Sequence, residues 1–348
     1  MDAQGWSRWH HRFHQHLLDQ PELLPQRQRL LLAVSGGQDS IALLRLLLDL
    51  RHLHQWELKL WHGDHRWHEG SEQIANELQS WCTKQSVALI VSQAEPDQAS
   101  TEASARNWRY CELLSHCNRL SCDAVTAHTA SDRAETMLFN LSRGSDLAGL
   151  GSLPSQRVLS TSQPDGPTVR RPFLVFSRQD TAAICRDLQL PIWLDPSNAS
   201  QIPARNRIRH SVLPVLEELH PGCSLRMAAT AERLSRQSQS RTELADLALQ
   251  QLRSEAGLDR RRLGSLTSTT RTLILARWLE ASGVTGVSAA LLDQLSQRLR
   301  TGQPGGQACL SRGWTLTWQG GTVKLEPMQE KPATSKPTNE RDSTMKTN

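Results

Sequence analysis

The sequence predicts an α/β fold, a doubly wound and mostly parallel sheet, followed by a smaller and mainly helical C-terminal domain. From Leu30 onward, short apolar runs of strand length alternate with longer stretches of helical spacing. Parallel strands need crossover connections of that length, which are usually helices. After Pro221, leucines recur three or four residues apart, as they do on one face of a helix.

The individual elements follow from local patterns. Trp6, Trp9, Phe13 and Leu17 have helical spacing and predict an amphipathic helix over residues 6–18. Four apolar runs are predicted strands: 30–34, 58–62, 88–91 and 124–128.

Proline and polar composition set the predicted domain limits. We expect an N-terminal domain at 1–217 and a C-terminal domain at 218–328, with the boundary just before Pro221. Alternating apolar residues over 314–318 predict a strand in the second domain. Residues 329–348 lack apolar periodicity and are predicted to be a disordered tail.

Composition restricts the class of protein. At 348 residues and 38% hydrophobic content, the chain can bury a substantial core. No apolar run approaches the ~20 residues of a membrane span, and the N-terminus is too polar for a secretory signal, so we expect a cytoplasmic protein without membrane association. The seven cysteines show no paired spacing and are expected to be reduced. Arginine clusters suit a phosphate-rich partner or, equally, an ordinary solvated surface.

The strongest local signal is Ser35-Gly36-Gly37-Gln38-Asp39-Ser40, between the strand 30–34 and the helical run 41–50. Adjacent glycines allow close approach of the backbone, and the unpaired N–H groups and dipole of a helix N-terminus favour an anion. The alternative is a simple turn in which Asp39 or Ser40 caps the helix. The loop has neither the lysine of a Walker loop nor a G-x-G-x-x-G pattern. It therefore predicts a phosphate cradle of another kind.

Charged residues cluster on two predicted helices. Glu102, Arg106 and Arg109 share a helix face, either as an ion pair or as a phosphate clamp. Asp132 and Glu135 lie three residues apart just beyond a predicted strand. Two carboxylates there can hold magnesium against phosphates or bind a cationic amine, while helix capping is the alternative for both.

A third segment places three arginines at alternate positions, at Arg205, Arg207 and Arg209. Such clustered guanidinium groups repel one another unless anions lie opposite them. The segment is therefore a candidate contact for phosphates.

In order and spacing, these segments resemble the PP-loop ATP pyrophosphatases, which have an adenine nucleotide alpha hydrolase-like fold, and among them the tRNA(Ile)-lysidine synthetase family. The resemblance covers most of 30–216 and includes Arg171-Pro172-Phe173-Leu174. It implies a ligase that joins L-lysine to the wobble cytidine of tRNA(Ile) with a CAU anticodon. In that family ATP adenylates the cytidine C2 oxygen, and the lysine ε-amine then displaces AMP.

The resemblance also implies roles for individual residues. ATP binding is implied for Ser35, Gly36, Gly37, Gln38, Asp39 and Ser40, with Mg²⁺ beside Asp39. Catalysis is implied for Asp39, His128, Asp132 and Glu135. The last three are also implied to bind lysine, and any of them could be the general base. Contacts to phosphates of the tRNA are implied for Arg106, Arg109, Arg205, Arg207 and Arg209.

The chain departs from the family pattern at several positions. Thr129 and Ser131 stand where the family usually has a second histidine and often a second acid, which argues against a metal site that uses both acids. Arg66-Trp67-His68 replaces the common Gly-Leu-Arg, so we expect a local change in how the substrate is held. Trp108 and Trp193 lie inside motifs and are candidates for stacking on unpaired bases.

Three other functions are compatible with parts of the pattern. The sulfur-transferring branch of the superfamily commonly needs a C-x-x-C pair, which the sequence lacks. Small-molecule PP-loop synthetases would not need the arginine-rich segment. A non-catalytic tRNA-binding protein could retain the loop as a relic. The oligomeric state is left open.

Overall fold

The computed structural model describes residues 5–67, 70–95, 97–160, 162–193 and 204–327. The predicted tail and His68 lie outside these ranges. The chain divides into two compact units, Met1–Ser238 and Gln239–Asn348. This division falls inside a long helix, Cys223–Leu252, and later in the sequence than the predicted boundary at 217/218.

The first unit contains a six-stranded sheet in the order β3-β2-β1-β4-β6-β5. Its strands are β1 Arg29–Ala33, β2 Glu57–Asp64, β3 Leu89–Gln93, β4 Asp123–Val125, β5 Gln156–Val158 and β6 Thr168–Arg170. All neighbouring pairs are parallel except β5 with β6. The mostly parallel sheet is therefore confirmed. Each of the four predicted strands is found, although the last is shorter than predicted and leaves His128 in the loop that follows it.

The helices of the first unit connect and cover this sheet. They are α1 Arg8–Asp19, α2 Gln38–His54, α3 Ser71–Lys84, α4 Glu102–Leu120, α5 Ala130–Ser142, α6 Leu147–Leu150, α7 Arg178–Asp187, α8 Ala204–Arg207, α9 Leu213–Leu219 and α10 Cys223–Leu252. A 3-10 turn spans Pro172–Val175, and a π-helical turn, Ile208–Val212, separates α8 from α9. Among the described helices, none combines the length and apolar character that a membrane crossing requires.

Alternating side chains of β1 reach two separate cores. Leu30 and Leu32 pack with α1 and α2, whereas Leu31 packs with Trp61 and α4. Both faces of the sheet are covered, as parallel sheets require. The predicted first helix also forms, with Ser7 as its N-cap.

The direction of chain winding reverses beside β1. The chain adds β2 and β3 on one side of β1 and places β4 on the other, with all four strands parallel. A crevice opens at the carboxyl ends of strands where the winding reverses in this way. The predicted phosphate loop follows β1 directly and lies at this point.

The second unit is built around its own antiparallel sheet. Helices α11 Arg260–Ser265, α12 Ser268–Ala281 and α13 Ala289–Arg298 pack with strands β7 Arg253–Ser254, β8 Gly257–Asp259, β9 Gly306–Leu310, β10 Trp314–Gln319 and β11 Thr322–Pro327. The strand order is β7-β8-β11-β10-β9. The sequence predicted a mainly helical unit with a strand at 314–318. It did not predict the other four strands of the sheet, which are short or largely exposed.

Candidate active site

The loop between β1 and α2 has the geometry of an anion cradle. Gly36 has φ +85°, a conformation that favours glycine. The Ser35 amide donates to Ser40 Oγ at 3.2 Å, and the Gly37 amide lies 3.4 Å from Ser35 Oγ. Gly37 is the N-cap of α2 and provides no side-chain cap, so the first amides of α2 lack a capping partner from this residue. Neither Asp39 nor Ser40 is the cap.

Helix α7 holds Asp39 at the mouth of this loop. Arg178 Nη1 lies 3.1 Å from Asp39 Oδ2, and the Thr181 hydroxyl donates to Asp39 Oδ1. Burial raises the pKa of Asp39, and the nearby charge of Asp132 raises it further, while Arg178 opposes both effects. Asp39 is therefore a carboxylate that a further cation would stabilise.

The Gln38 side chain binds α7. Its amide nitrogen donates to the Arg178 carbonyl at 2.9 Å and to Thr181 Oγ1 at 3.0 Å. These bonds fix α2 to α7. Gln38 also lines the same crevice as Ser35 and Asp39.

The two acids of α5 have different environments. Asp132 Oδ2 accepts the Thr129 amide at 2.7 Å and the Thr129 hydroxyl at 2.9 Å, so Asp132 belongs to the capping box of α5. Its other oxygen lies 3.3 Å from Arg209 Nη2. Glu135 is buried and receives Arg209 through two bonds, of 2.7 and 2.9 Å. Arg209 therefore bridges both acids.

Their pKa values shift in opposite directions. Burial raises the pKa of Glu135, and the two Arg209 bonds do not fully offset it. Burial also acts to raise the pKa of Asp132. The positive charge that His128 carries when protonated, the Thr129 hydrogen bonds and Arg209 together hold this pKa below its usual value. Glu135 is thus the more basic of the two carboxylates.

The three alternate arginines do not share one environment. Arg209 faces two carboxylates through Nε and Nη2, and it also lines the crevice. Arg205 Nη2 donates to Thr136 Oγ1 of α5 at 2.6 Å, and Arg207 is exposed. Arg205 and Arg209 therefore both reach α5, Arg209 from the π-helical turn Ile208–Val212, whereas Arg207 faces solvent.

His128 lies at an electropositive end of the crevice. Its Nδ1 is 2.9 Å from Thr126 Oγ1. Burial, followed by the charge of Arg171, lowers the pKa of His128 to about 3, with further contributions from Arg106 and Arg109. The imidazole is therefore neutral at pH 7.

Tyr110 contacts three arginines in this part of the structure, and no sequence pattern indicated these contacts. Arg106 lies over its ring at 5.1 Å and Arg157 at 5.0 Å, while Arg171 Nη2 donates to its hydroxyl at 3.3 Å. The predicted phosphate contacts Arg106 and Arg109 both line the crevice beside it.

Two residues of α7 were likewise not predicted. Arg178 and Thr181 both contact Asp39, yet their only sequence signal was one arginine in a loose cluster. Contacts between α2 and α7 bring together residues about 140 positions apart, which a local pattern cannot reveal.

Neither tryptophan singled out for base stacking is open on both faces. Trp108 is buried in the second core, 6.1 Å from the Trp61 ring. Trp193 donates its backbone amide to the Gly36 carbonyl at 3.0 Å and its indole N–H to Glu77 at 2.9 Å. Trp193 therefore supports the phosphate loop.

A single crevice of about 380 Å³ lies at the carboxyl ends of the parallel strands, and most of these groups line it. Glu135 is buried and, like Arg205 and Arg207, is not part of its lining. Ser35, Gly37, Asp39 and Ser40 form one wall, and His128 and Asp132 face the interior. Among the described residues, no group of three or more His, Cys, Asp or Glu side chains is placed to hold a metal ion.

Comparisons with known proteins give matches over most of the chain. A PP-loop domain model matches residues 8–216, and a TilS substrate binding domain model matches residues 258–323. The chain is 57% identical to the tRNA(Ile)-lysidine synthase of Parasynechococcus marenigrum (strain WH8102), covering 93% of this chain and 96% of that one. It is 42% identical to the tRNA(Ile)-lysidine synthase of a strain of Prochlorococcus marinus, covering 92% and 96%.

A solved structure shares the fold of the larger part of the chain. The U34-tRNA thiolase NcsA from Methanococcus maripaludis matches with a TM-score of 0.54 at 18% identity, covering 65% of this chain and 78% of that one. The family resemblance that the motifs predicted is confirmed by the sequence matches: the chain belongs to the tRNA(Ile)-lysidine synthase family.

Proposed function

We propose that this protein ligates L-lysine to C2 of the wobble cytidine in the CAU anticodon of tRNA(Ile), giving lysidine, AMP and diphosphate, and that it acts in the cytoplasm. The observation that carries the proposal is one crevice that holds a phosphate cradle, an acidic cluster and an arginine cluster. Family membership suggests the substrates, and the geometry supports a separate region for each of them.

The reaction proceeds by two displacements. The cytidine C2 oxygen attacks the α-phosphorus of ATP, and the bond to the β-phosphate oxygen breaks to release diphosphate. The lysine ε-amine then attacks C2, the C2–O bond breaks, and AMP leaves with that oxygen. The amine must lose a proton first, because it is protonated at pH 7.

The acidic cluster suits the lysine ammonium group. Asp39, Asp132 and Glu135 face only two guanidinium groups within the described residues, those of Arg178 and Arg209. One negative charge is left over, and an ammonium group would balance it, whereas the charge of Mg²⁺ would be balanced mainly by the phosphates of ATP.

The same cluster suggests which group accepts the proton. Of the three predicted bases, only Glu135 has its pKa raised, whereas those of His128 and Asp132 are lowered. A general base works best when its pKa lies near the operating pH. The raised pKa makes Glu135 our proposed base. The crevice would have to open towards it, because Glu135 is buried and does not line the crevice.

Magnesium fits at Asp39. Its buried carboxylate beside Asp132 calls for a cation, and Mg²⁺ is commonly held by one or two carboxylates together with substrate phosphates. When bound, the ion would supply positive charge to the phosphates of ATP.

The arginines that remain accessible are the proposed contacts to the tRNA. Arg106 and Arg109 line the crevice beside His128, where a cytidine and its phosphate would enter. Arg205 and Arg207 follow along the chain and carry no ion pair within the described residues. Guanidinium groups are well suited to phosphate oxygens.

Mass spectrometry of a tRNA(Ile) transcript with a CAU anticodon, after incubation with ATP and lysine, tests the proposal. We expect one lysyl addition at the wobble base, none on a transcript with a GAU anticodon, and diphosphate release that depends on the tRNA. Asp132→Asn should abolish the addition, whereas Asp19→Asn on the exposed end of α1 should not. An unmodified CAU transcript with the wild-type protein would refute the assignment.

A further inference from the structure

Arg178 has a fixed backbone at the mouth of the phosphate loop. Its amide donates to Ser131 Oγ at 3.1 Å, and its carbonyl accepts the Gln38 side chain at 2.9 Å. The first residue of α7 is thus tied to the first turns of both α5 and α2. The hydrogen bonds of its backbone amide and carbonyl therefore fix the position from which the Arg178 side chain extends.

The guanidinium group, in contrast, is largely uncommitted. Its side chain is 42% exposed, and Nη1 alone contacts Asp39, at 3.1 Å. Within the described part of the chain, no other carboxylate lies within ion-pair distance of it. The group lines the same crevice as Ser35, Gly37 and Ser40. Its remaining N–H donors are available to a ligand in that crevice.

The phosphate loop itself carries no cation. It offers amides and hydroxyl groups, and no lysine occurs from Ser35 to Leu58. Loss of diphosphate places negative charge on the leaving phosphates, and enzymes of phosphoryl and nucleotidyl transfer meet that charge with fixed cations. The Arg178 guanidinium lies beside the loop, because it contacts Asp39, which is a residue of the loop.

We propose that Arg178 binds the β- and γ-phosphates of ATP and stabilises the departing diphosphate. This inference rests on the proposed function and adds a residue to it. The contact with Asp39 orients the guanidinium group before ATP arrives. The rival role is that of a counter-ion that only neutralises Asp39, and the two roles differ in which ligands they affect.

Calorimetric titration of the full chain with ATP, inorganic pyrophosphate and AMP, at one fixed Mg²⁺ concentration, separates these roles. The variants are Arg178→Gln, Arg178→Lys and the double variant Arg178→Gln/Asp39→Asn. Arg186→Gln is the matched control, because Arg186 lies at the other end of α7 with a side chain that is 76% exposed. Thermal denaturation of every variant checks folding.

We expect Arg178→Gln to weaken ATP and pyrophosphate binding by roughly ten- to a hundredfold, the range for loss of a charge-assisted hydrogen bond. AMP binding should stay within about twofold, since AMP lacks the terminal phosphates. Arg178→Lys should fall between the wild type and Arg178→Gln, because it keeps the charge without the fork.

Three results would overturn the inference: unchanged pyrophosphate binding by Arg178→Gln, an equal loss of AMP binding, or recovery in the double variant. The last two would assign Arg178 to the counter-ion role. If Arg178→Gln failed to fold, the same comparison of pyrophosphate with AMP in Arg178→Lys would decide. A wild-type protein that bound neither ATP nor pyrophosphate would instead refute the proposed function itself.

Discussion

Replacing Arg209 by methionine should strongly destabilise the first unit, because it removes the only described ion-pair partner of Glu135. The Glu135 side chain is 4% exposed and would keep a buried charge without compensation. Breaking a buried pair in this way costs about 3–5 kcal/mol. Arg209 itself is 22% exposed, so solvent can partly replace it, and we expect the lower end, about 3 kcal/mol. At about 2–4 °C per kcal/mol for a unit of this size, Tm should fall by roughly 6–12 °C.

The effect should depend on pH in a defined direction. Burial already raises the pKa of Glu135 in the folded protein, and losing Arg209 raises it further. A carboxyl group whose folded-state pKa lies above its unfolded value destabilises the fold as pH rises through that interval. The deficit of Arg209→Met should therefore be largest at pH 8 and shrink towards pH 5, within about the range in which buried carboxylates titrate.

Calorimetric melting curves of the wild type and variants across that pH range provide the measurement. The matched control is Arg207→Met, an exposed neighbour that should change stability by less than about 0.5 kcal/mol. Adding Glu135→Gln to Arg209→Met should recover part of the loss, since no charge is then stranded. A pH-independent loss, or a loss no larger than that of Arg207→Met, would refute the reasoning.

Two further predictions concern the loop and the lone tyrosine. Gly36→Ala should lower the free energy of unfolding, measured by urea denaturation, by about 1–2 kcal/mol from its left-handed backbone alone, and its new Cβ would lie 3.3 Å from that of Trp193. Gly37→Ala, whose φ is negative, should lower it by less than about 1 kcal/mol. Equal losses in the two variants would contradict this prediction. Burial opposes ionisation of Tyr110, but the neighbouring arginines outweigh burial and lower the pKa of Tyr110 to about 8. Near-ultraviolet absorbance should therefore show phenolate forming near that pH, and Arg157→Gln should move the transition to higher pH. A wild-type transition at the ordinary tyrosine pKa of about 10 would contradict the proposed arginine cluster.

The parallel sheet was predictable because local patterns specify it. The apolar run before Ser35 and the helical run after it fix a strand, a turn and a helix, and the turn has the glycines that its dihedral angles demand. The antiparallel sheet of the second unit was largely missed. β7 and β8 have only two and three residues, too short for a period of two to be recognised.

The sequence indicated which residues belong to the candidate site but not which side chains they contact. Spacing placed Asp132 and Glu135 on one helix, yet it could not show that Arg209 would bridge them across 74 residues of sequence. The departures at Thr129 and Ser131 also have structural roles that sequence could not reveal. Thr129 caps α5, and Ser131 accepts the amide of Arg178. Tertiary partners of this kind depend on the whole fold.

The π-helical turn Ile208–Val212 makes chain length more critical than composition around Arg209. A π turn accommodates one residue more than an α turn, so removing one of its four residues other than Arg209 would restore α-helical winding. Each residue of an α-helix advances the side-chain direction by about 100°, and the guanidinium group would swing away from α5. A single deletion here would thus separate Arg209 from Asp132 and Glu135, whereas most substitutions at the neighbouring positions would leave these ion pairs in place.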